Sequence, residues 1–190
     1  MRESGAIVTV FGSALPSSGE DAYELARELG RSLARAGLRL CNGGYGGTME
    51  AAARGAREAS GGGASAGTIG VTCELFGSRA ANPWIDDVRQ TATLFERLEQ
   101  LIALGDAYVV LPGGTGTLLE LATVLELTSK GLIRTRPILL LGRYWEGVLD
   151  VAREPARQES SQALWVNTVA SVEECVHSLL TALGDKTDEL

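Results

Sequence analysis

Lysine and histidine are scarce in this chain of 190 residues, in which the lysines are Lys130 and Lys186 and the one histidine is His177. No lysine follows a glycine run, so a GxxxxGK[ST] phosphate loop is absent and an ATPase of that type is disfavoured. The one histidine lies in a helical pattern near the C-terminus, away from the glycine turns, which disfavours a Ser-His-Asp triad and most histidine-based metal sites. Because His177 lies in a helical pattern near the C-terminus, we expect it at the surface.

Cysteine is also rare, and Cys41, Cys73 and Cys175 are odd in number, far apart and without a CxxC pair. This spacing favours neither a disulfide framework nor a zinc site, and we expect three buried, small apolar residues. The sequence has no signal peptide and no apolar run near the roughly 20 residues that a membrane span requires. The expected location is therefore the cytoplasm, with no membrane partner.

Positive charge is in deficit as well, since the net charge of the chain is −7. Nucleic acids and anionic membranes are bound through basic surface, so neither is an expected partner. Any phosphate site must then be a local one. With 45% hydrophobic residues the chain is long enough to bury one core, and we expect a single domain over residues 1–190.

Residues 107–120 contain, in order, the residue types of a strand, a glycine turn and a helix start. Tyr108 to Leu111 is a short apolar run, typical of a strand in a parallel sheet. The glycines let backbone N–H groups close on a ligand, and the following helix directs its positive dipole end at the turn. A phosphate site is therefore predicted, formed by Pro112, Gly113, Gly114, Thr115, Gly116 and Thr117.

Glu120 has two interpretations. Thr117 stands where an N-cap would be, and Thr117-x-x-Glu120 fits a capping box, in which the glutamate folds back on the cap. A carboxylate in the first helical turn would repel a phosphate bound there, so in the other interpretation Glu120 reaches a different part of the ligand. From spacing alone both interpretations stay open.

Strand-like and helix-like segments alternate along the chain, which predicts a doubly wound α/β, Rossmann-like fold with a parallel sheet and helices on both faces. Five strands are expected, at 6–11, 38–41, 68–72, 108–111 and 138–141, the first at the sheet's centre. Residues 73–89 show no clear period and are expected to be an irregular excursion that covers the site. We expect the first helix to end at Gly37 as its C′ residue, and a later helix to begin with a capping box at Thr93-x-x-Glu96. We also expect a loop at 61–67 and a frayed tail at 184–190.

Asn42 to Glu50 repeats the strand, glycine turn and helix order of residues 107–120. Two such turns imply one crevice at the carboxyl ends of the strands, although the glycines are also explained by tight strand-to-helix packing. The first turn of the chain lacks GxGxxG, and the second strand ends in Cys41-Asn42 without an acidic residue. A dinucleotide-dependent dehydrogenase is therefore a poor fit.

The segment Pro112-Gly113-Gly114-Thr115-Gly116-Thr117-Leu118-Leu119-Glu120 resembles the PGGxGTxxE signature of the LOG family, the cytokinin riboside 5′-monophosphate phosphoribohydrolases. Gly43 to Met49 is similar to the family's GGxxGxM segment, and Phe11-Gly12-Ser13 to its first-strand turn. The resemblance implies that Arg97 and Glu120 are catalytic, that no metal or cofactor is needed, and that the protein forms a homodimer or larger assembly. It also implies these phosphate- or nucleotide-binding residues outside the PGG turn: Gly12, Ser13, Gly43, Gly44, Gly46, Gly47 and Met49.

The implied reaction is hydrolysis of the N-glycosidic bond of a nucleoside 5′-monophosphate. Thr72-Cys73-Glu74 and Asn82-Pro83-Trp84 also resemble segments of molybdenum cofactor carrier proteins, which bind a pterin nucleotide-like ligand without hydrolysing it. A carrier is therefore the alternative. Convergence of Arg97 and Glu120 within hydrogen-bond reach would favour hydrolysis, and separation by apolar side chains would favour carrying.

Overall fold

The computed structural model describes residues 5–61, 67–77, 79–153 and 166–184. Within them, parallel strands form one sheet in the order β4-β3-β2-β1-β5-β6-β7. The strands are β1 (Ile7–Phe11), β2 (Arg39–Asn42), β3 (Ile69–Cys73), β4 (Asp87–Thr91), β5 (Ala107–Val110), β6 (Ile138–Leu141) and β7 (Val166–Val169). The helices are α1 (Asp21–Arg35), α2 (Thr48–Ala59), α3 (Leu94–Leu104), α4 (Thr115–Ser129), α5 (Glu146–Arg153) and α6 (Val172–Gly184), with a 3₁₀ turn at Glu74–Phe76.

The two faces of the sheet carry separate apolar cores. Alternate residues of β1 point to opposite faces, so that Val8 and Val10 join α1, α2 and α6 in one core. Phe11 joins α3, α4 and α5 in the other core, where it stacks on Tyr108 of β5. The expectation of a doubly wound α/β fold with helices on both faces is confirmed, and β1 is the central strand as predicted.

The winding of the chain reverses between β1 and β5. From β1 the chain proceeds through β2 and β3 to the β4 edge, and α3 then returns it to β5 on the other side of β1. In open parallel sheets, ligands lie at the carboxyl ends of the strands beside such a reversal. The turns that follow β1 and β5 are therefore adjacent at the place where a ligand is expected.

Two strands were not predicted, and both lie at an edge of the sheet. β4 occupies the end of the supposedly irregular segment 73–89, and its middle residues are exposed. β7 likewise exposes Asn167 and Thr168. An edge strand with polar, exposed residues lacks the continuous apolar run that identified the buried strands. Most of the 61–67 loop and all but the first residue of the 184–190 tail lie outside the described residues.

The predicted start of α3 and the predicted end of α1 are confirmed. Thr93 and Glu96 form a full capping box at the start of α3. Gly37 has a φ of 75° directly after α1, and the Leu38 N–H bonds to the Leu33 carbonyl, as in a Schellman motif. The cysteines are free and buried, and His177 is exposed. No helix among the described residues is long and apolar enough to cross a membrane.

Helices α1 and α2 are in close contact because each has a glycine facing the other. A Cβ on Gly30 would overlap the backbone of Ala52, and a Cβ on Gly55 would overlap the carbonyl of Arg27. This contact fixes the two helices side by side on the sheet. The loops that precede them, after β1 and β2, are held together as a result.

We expect Gly55→Ala to destabilise the fold by roughly 1–3 kcal/mol, because the added methyl group meets backbone atoms that cannot move away alone. Alanine normally stabilises a helix by about 1 kcal/mol relative to glycine, so a decrease in the free energy of unfolding would be diagnostic of the close contact. The measurement is chemical unfolding monitored by circular dichroism. Gly147→Ala in α5 is the matched control, because its Cβ would meet nothing within 4 Å. Equal stability of the two variants would contradict the close contact.

Candidate active site

A cleft of about 550 Å³ opens where the turns after β1 and β5 meet. The loop after β1 forms one wall, and the start of α4 forms another. The β2–α2 turn, the 3₁₀ turn and α3 complete the enclosure. The residues that line it are Gly12, Ser13, Ala14, Leu15, Tyr45, Met49, Phe76, Arg79, Leu94, Arg97, Leu98, Gly114, Thr115, Gly116, Thr117, Leu119 and Glu120.

Helix α4 begins at the cleft, three residues earlier than an N-cap at Thr117 would place it. Its N-cap is Gly114, and its first residue is Thr115. The opening N–H groups of a helix have no partner within the helix, and here they belong to residues that line the cleft. Gly114 and Gly116 are exposed, and a Cβ at either position would meet nothing within 4 Å. A phosphate has open access to this helix end.

The predicted capping box at Thr117 is wrong. Thr117 lies inside the first turn of α4, where it is buried, and the cap residue makes no side-chain hydrogen bond. Glu120 consequently lies in the second turn, and no acidic residue occupies the first turn. This placement removes the conflict between the carboxylate and a phosphate at the N–H groups. The carboxylate is free to act further along the cleft.

Two aromatic side chains donate hydrogen bonds to backbone carbonyls of the turn before α4. Trp145 donates from Nε1 to the Leu111 carbonyl at 2.9 Å, and the Tyr144 hydroxyl donates to the Gly113 carbonyl at 3.1 Å. A Cβ on Gly113 would overlap the side chain of Thr117. Pro112 and Gly113 therefore shape the turn without lining the cleft.

Arg97 and Glu120 meet in the cleft, although they come from different helices. Arg97 Nη1 lies 3.4 Å from Glu120 Oε1, and both side chains are largely buried. Arg97 also donates from Nε to the Val71 carbonyl at 2.8 Å. The two residues thus converge within hydrogen-bond reach, the arrangement that favours hydrolysis over carrying.

Burial raises the pKa of Glu120 to about 7, and the neighbouring Arg97 partly opposes this rise. Desolvation disfavours the charged form of a carboxyl group, whereas a nearby cation favours it. A carboxyl group that titrates near neutral pH can both accept and release a proton under ordinary conditions. The cleft therefore holds a group suited to acid-base chemistry.

The glycine turn before α2 differs from the one before α4 in how open its helix end is. The N–H and the hydroxyl of Thr48, at the start of α2, both donate to the Ser13 carbonyl, so this helix end is partly closed. Gly44 packs against Gly70 and Thr72, and Gly47 packs against the Ser13–Ala14 backbone. Of the predicted residues in this region, Gly12, Ser13 and Met49 line the cleft, whereas Gly43, Gly44, Gly46 and Gly47 do not.

Sequence reasoning missed several residues that line the cleft. Tyr45 lies inside the turn from Gly43 to Gly47, whose glycines suggested a binding site, but no role was predicted for its side chain. Phe76 and Arg79 belong to the excursion that was expected to cover the site, and both reach the cleft. The apolar lining comes mainly from Leu15, Leu94, Leu98 and Leu119. Within the described parts of the chain, no three metal-ligating side chains lie together as a metal site.

The order of the strands and the cleft at the winding reversal place the chain among Rossmann-like α/β proteins. A family model described as "Possible lysine decarboxylase" matches residues 49–180. A cytokinin riboside 5′-monophosphate phosphoribohydrolase of Rhodococcoides fascians is 35% identical over 154 residues, which cover 78% of this chain and 75% of the relative. The chain therefore belongs to this family, the LOG family that its motifs resemble.

Other similar proteins extend the comparison. A Mycobacterium tuberculosis protein with the same name is 37% identical over 116 residues, which cover 60% of this chain and 59% of that protein. Among solved structures, the molybdenum cofactor carrier protein of Chlamydomonas reinhardtii has a TM-score of 0.70 at 25% identity, covering 95% of this chain and 99% of that chain. The molybdenum cofactor binding protein of Rippkaea orientalis, with a TM-score of 0.71 at 23% identity over 95% of this chain and 98% of that one, shares the fold.

We expect Gly116→Val to weaken the binding of a nucleoside 5′-monophosphate by at least about tenfold, because its side chain would occupy the open space before the α4 N–H groups. Isothermal titration calorimetry with AMP measures the effect. Gly147→Val is the control, because Gly147 occupies an equally open position near the start of α5, outside the cleft. If Gly116→Val binds AMP as tightly as the control does, the anion site lies elsewhere.

The raised pKa of Glu120 predicts a pH-dependent difference in stability between the wild type and Glu120→Gln. The ordinary pKa is 4.5 and the folded value is about 7, so between these values the folded protein binds the extra proton. The unfolding free energy of the wild type, relative to Glu120→Gln, should fall as pH rises from 4.5 to 7, by on the order of 3 kcal/mol. Above this window the difference should be constant. Urea unfolding of both proteins at several pH values tests this, and a flat difference would contradict the raised pKa.

Proposed function

We propose that this protein hydrolyses the N-glycosidic bond of a nucleoside 5′-monophosphate of the cytokinin riboside type, releasing the free base and ribose 5-phosphate. The observation that carries this proposal is the meeting of Arg97 and Glu120 beside the open N-terminus of α4. A binding protein needs the anion site but has no need of a buried carboxyl group that titrates near neutral pH. A hydrolase needs both.

The 5′-phosphate is the part of the ligand assigned to the start of α4. Thr115, Gly116 and Thr117 present N–H groups there, and the positive end of the helix dipole favours an anion. The protein as a whole carries a net charge of −7, so this local field has to outweigh a repulsive background. Arg79, which is exposed and lines the cleft, adds a second positively charged side chain to it.

Glu120 is the group assigned to the ribose. It lies about three residues beyond the anion site, which corresponds to about 5 Å along the helix axis. As the bond between C1′ and the base nitrogen breaks, the ribose acquires positive charge, which a carboxylate stabilises. The oxygen of a water molecule then bonds to C1′. Glu120 takes the proton that the water loses and later releases it to solvent, and the departing base nitrogen gains one proton from solvent, so that Glu120 ends as it began.

Arg97 is assigned to the orientation of Glu120. Its Nε bond to the Val71 carbonyl anchors one edge of the guanidinium, and Nη1 lies beside the carboxylate. Their 3.4 Å separation is long for an ion pair, as is common in sites that tighten only when the substrate binds. A positive charge here also keeps part of the Glu120 population ionised.

The names of the relatives support hydrolysis, whereas two of the solved structures that share the fold are named as carrier or binding proteins of the molybdenum cofactor. Carrying remains the second candidate, because the Chlamydomonas carrier is 25% identical over almost the whole chain. The two candidates differ in whether the ligand leaves the cleft intact. A chemical assay therefore separates them directly.

We expect incubation with a panel of nucleoside 5′-monophosphates to release base and ribose 5-phosphate from at least one member, as detected by chromatography. Glu120→Gln should lower kcat by roughly 10²–10³, because a preorganised electrostatic stabiliser is lost. Arg97→Lys should also lower kcat, because lysine lacks the guanidinium that reaches two acceptors. If the wild type leaves every nucleotide intact but binds one tightly, the carrier function is correct. If Glu120→Gln keeps kcat within a few-fold of wild type, the assigned role of Glu120 is wrong.

We also propose a homodimer or larger assembly, formed through the outer faces of α3 and α4. A groove of about 490 Å³ lies there, lined by Ile102 and Leu127 among others, and Phe95 at its rim is 77% exposed. Apolar surface of this kind is typical of an interface between subunits. The cytoplasmic location stays a prediction from the sequence.

Light scattering at micromolar concentration should give at least twice the monomer mass for the wild type and a lower mass for Phe95→Asp, which places a charge in the groove. Val151→Asp is the control, because Val151 is equally exposed but lies on α5. A monomeric wild type would refute the assembly, and dissociation by both variants would place the interface elsewhere.

A further inference from the structure

Arg97 presents a structural problem, because a long, flexible, fully charged side chain is only 7% exposed. Its ion pair with Glu120 is long, and its one short hydrogen bond, to the Val71 carbonyl, is made by Nε rather than by the end of the guanidinium. Two contacts of this kind leave the guanidinium plane poorly defined. Other groups must hold it for the cleft to have a fixed geometry.

Tyr45 and Phe76 lie against this guanidinium. The Arg97 Cζ atom is 5.8 Å from the centre of the Tyr45 ring and 5.6 Å from that of Phe76, and the ring centres are 5.8 Å apart. The three centres form a nearly equilateral triangle, so the rings flank the cation on one side rather than enclosing it between them. Cation–π attraction is strongest where water is excluded, and Tyr45 is buried.

The Tyr45 hydroxyl is fixed at the end of β3, on the same strand that holds Arg97. It accepts a hydrogen bond from the Cys73 N–H at 2.8 Å and donates to the Cys73 carbonyl at 3.2 Å. Pairing of β2 with β3 ends at Asn42 and Gly70. Beyond that point, Arg97 Nε bonds to Val71 and the Tyr45 hydroxyl bonds to Cys73. Two side chains thus continue the ladder where β2 has ended, and they share one rigid frame.

Gly43 provides the space that this arrangement needs. A Cβ at this position would overlap Arg97 Nη2 and would come within 2.7 Å of Met49 Sδ. Gly43 and Tyr45 belong to the same glycine turn, whose helix end is partly closed by the Ser13 carbonyl. This turn therefore borders the arginine, and the glycine at position 43 is explained without a phosphate.

We propose that the Gly43–Tyr45 turn is a socket for Arg97, in which Tyr45 is the positioning residue that holds the guanidinium beside Glu120, with support from Phe76. The catalytic consequence rests on the proposed hydrolase function, whereas the structural consequence does not. The charged groups that line the cleft around Glu120 are Arg97 from α3 and Arg79 from the excursion. Displacement of Arg97 removes the cation nearest to the carboxylate.

The test compares Tyr45→Leu, which removes the ring, with Tyr45→Phe, which keeps it. The pKa of Glu120 is measured by ¹³C NMR of the side-chain carboxyl group, which requires no substrate. Tyr45→Leu should raise it by about half a pH unit to one pH unit, because an opposite charge moves away, and Tyr45→Phe should raise it less. With an active substrate, Tyr45→Leu should lower kcat about tenfold with KM within about twofold, and Tyr45→Phe should restore most of kcat.

Tyr23→Leu is the matched control, because Tyr23 is a buried tyrosine of the core on the opposite face of the sheet. It should destabilise the fold without changing the pKa of Glu120. Phe76→Leu provides a second variant that should fold readily, because Phe76 is partly exposed, and it should raise the pKa in the same direction. An unchanged pKa in both Phe76→Leu and Tyr45→Leu would overturn the socket. If the wild type cleaves no nucleotide but the pKa rises, the hydrolase proposal fails and the socket stands.

Discussion

The buried charge of Arg97 is the constraint on which the cleft depends. A cation removed from water needs compensation from several sides, and here it comes from a carbonyl group, a carboxylate and two aromatic rings on four separate segments of the chain. Each segment must end where it does for these groups to meet. Close packing of α1 on α2 and the reversal of winding between β1 and β5 bring the segments to the same edge of the sheet.

The acidic character of the protein and the proposed binding of an anion are compatible because they act on different length scales. Surface charges are screened over about 8–10 Å at physiological ionic strength, so the net negative charge is weakly felt within a cleft. The N–H groups at the start of α4 act at contact distance. Lysine scarcity is then understandable, since backbone groups and two arginines provide the positive potential that lysines supply in many phosphate sites.

Short-range features were predictable from the sequence, whereas features that depend on relative strand length were not. The capping box at Thr93 and the C-terminal glycine of α1 follow from neighbouring residues. The edge strands β4 and β7 were not predicted, because their polar residues face solvent and break the apolar pattern. Thr117 was wrongly expected to be the N-cap of α4 because the glycines and threonines of residues 113–117 offer several equally good cap positions. The role of Tyr45 depends on β2 ending before β3, which no local pattern records.

The hydrogen bonds from Tyr144 and Trp145 to the PGG turn influence which backbone groups the turn presents to a ligand. In a trans peptide unit, the carbonyl and the N–H point in opposite directions. Because Tyr144 holds the Gly113 carbonyl on the side of α5, the N–H of Gly114 is turned toward the cleft. The Leu111 carbonyl, held by Trp145, precedes a proline and so has no N–H opposite it. Two carbonyl acceptors of the turn are thus occupied by Tyr144 and Trp145, and this arrangement favours an anion over a cation at the turn before any ligand arrives.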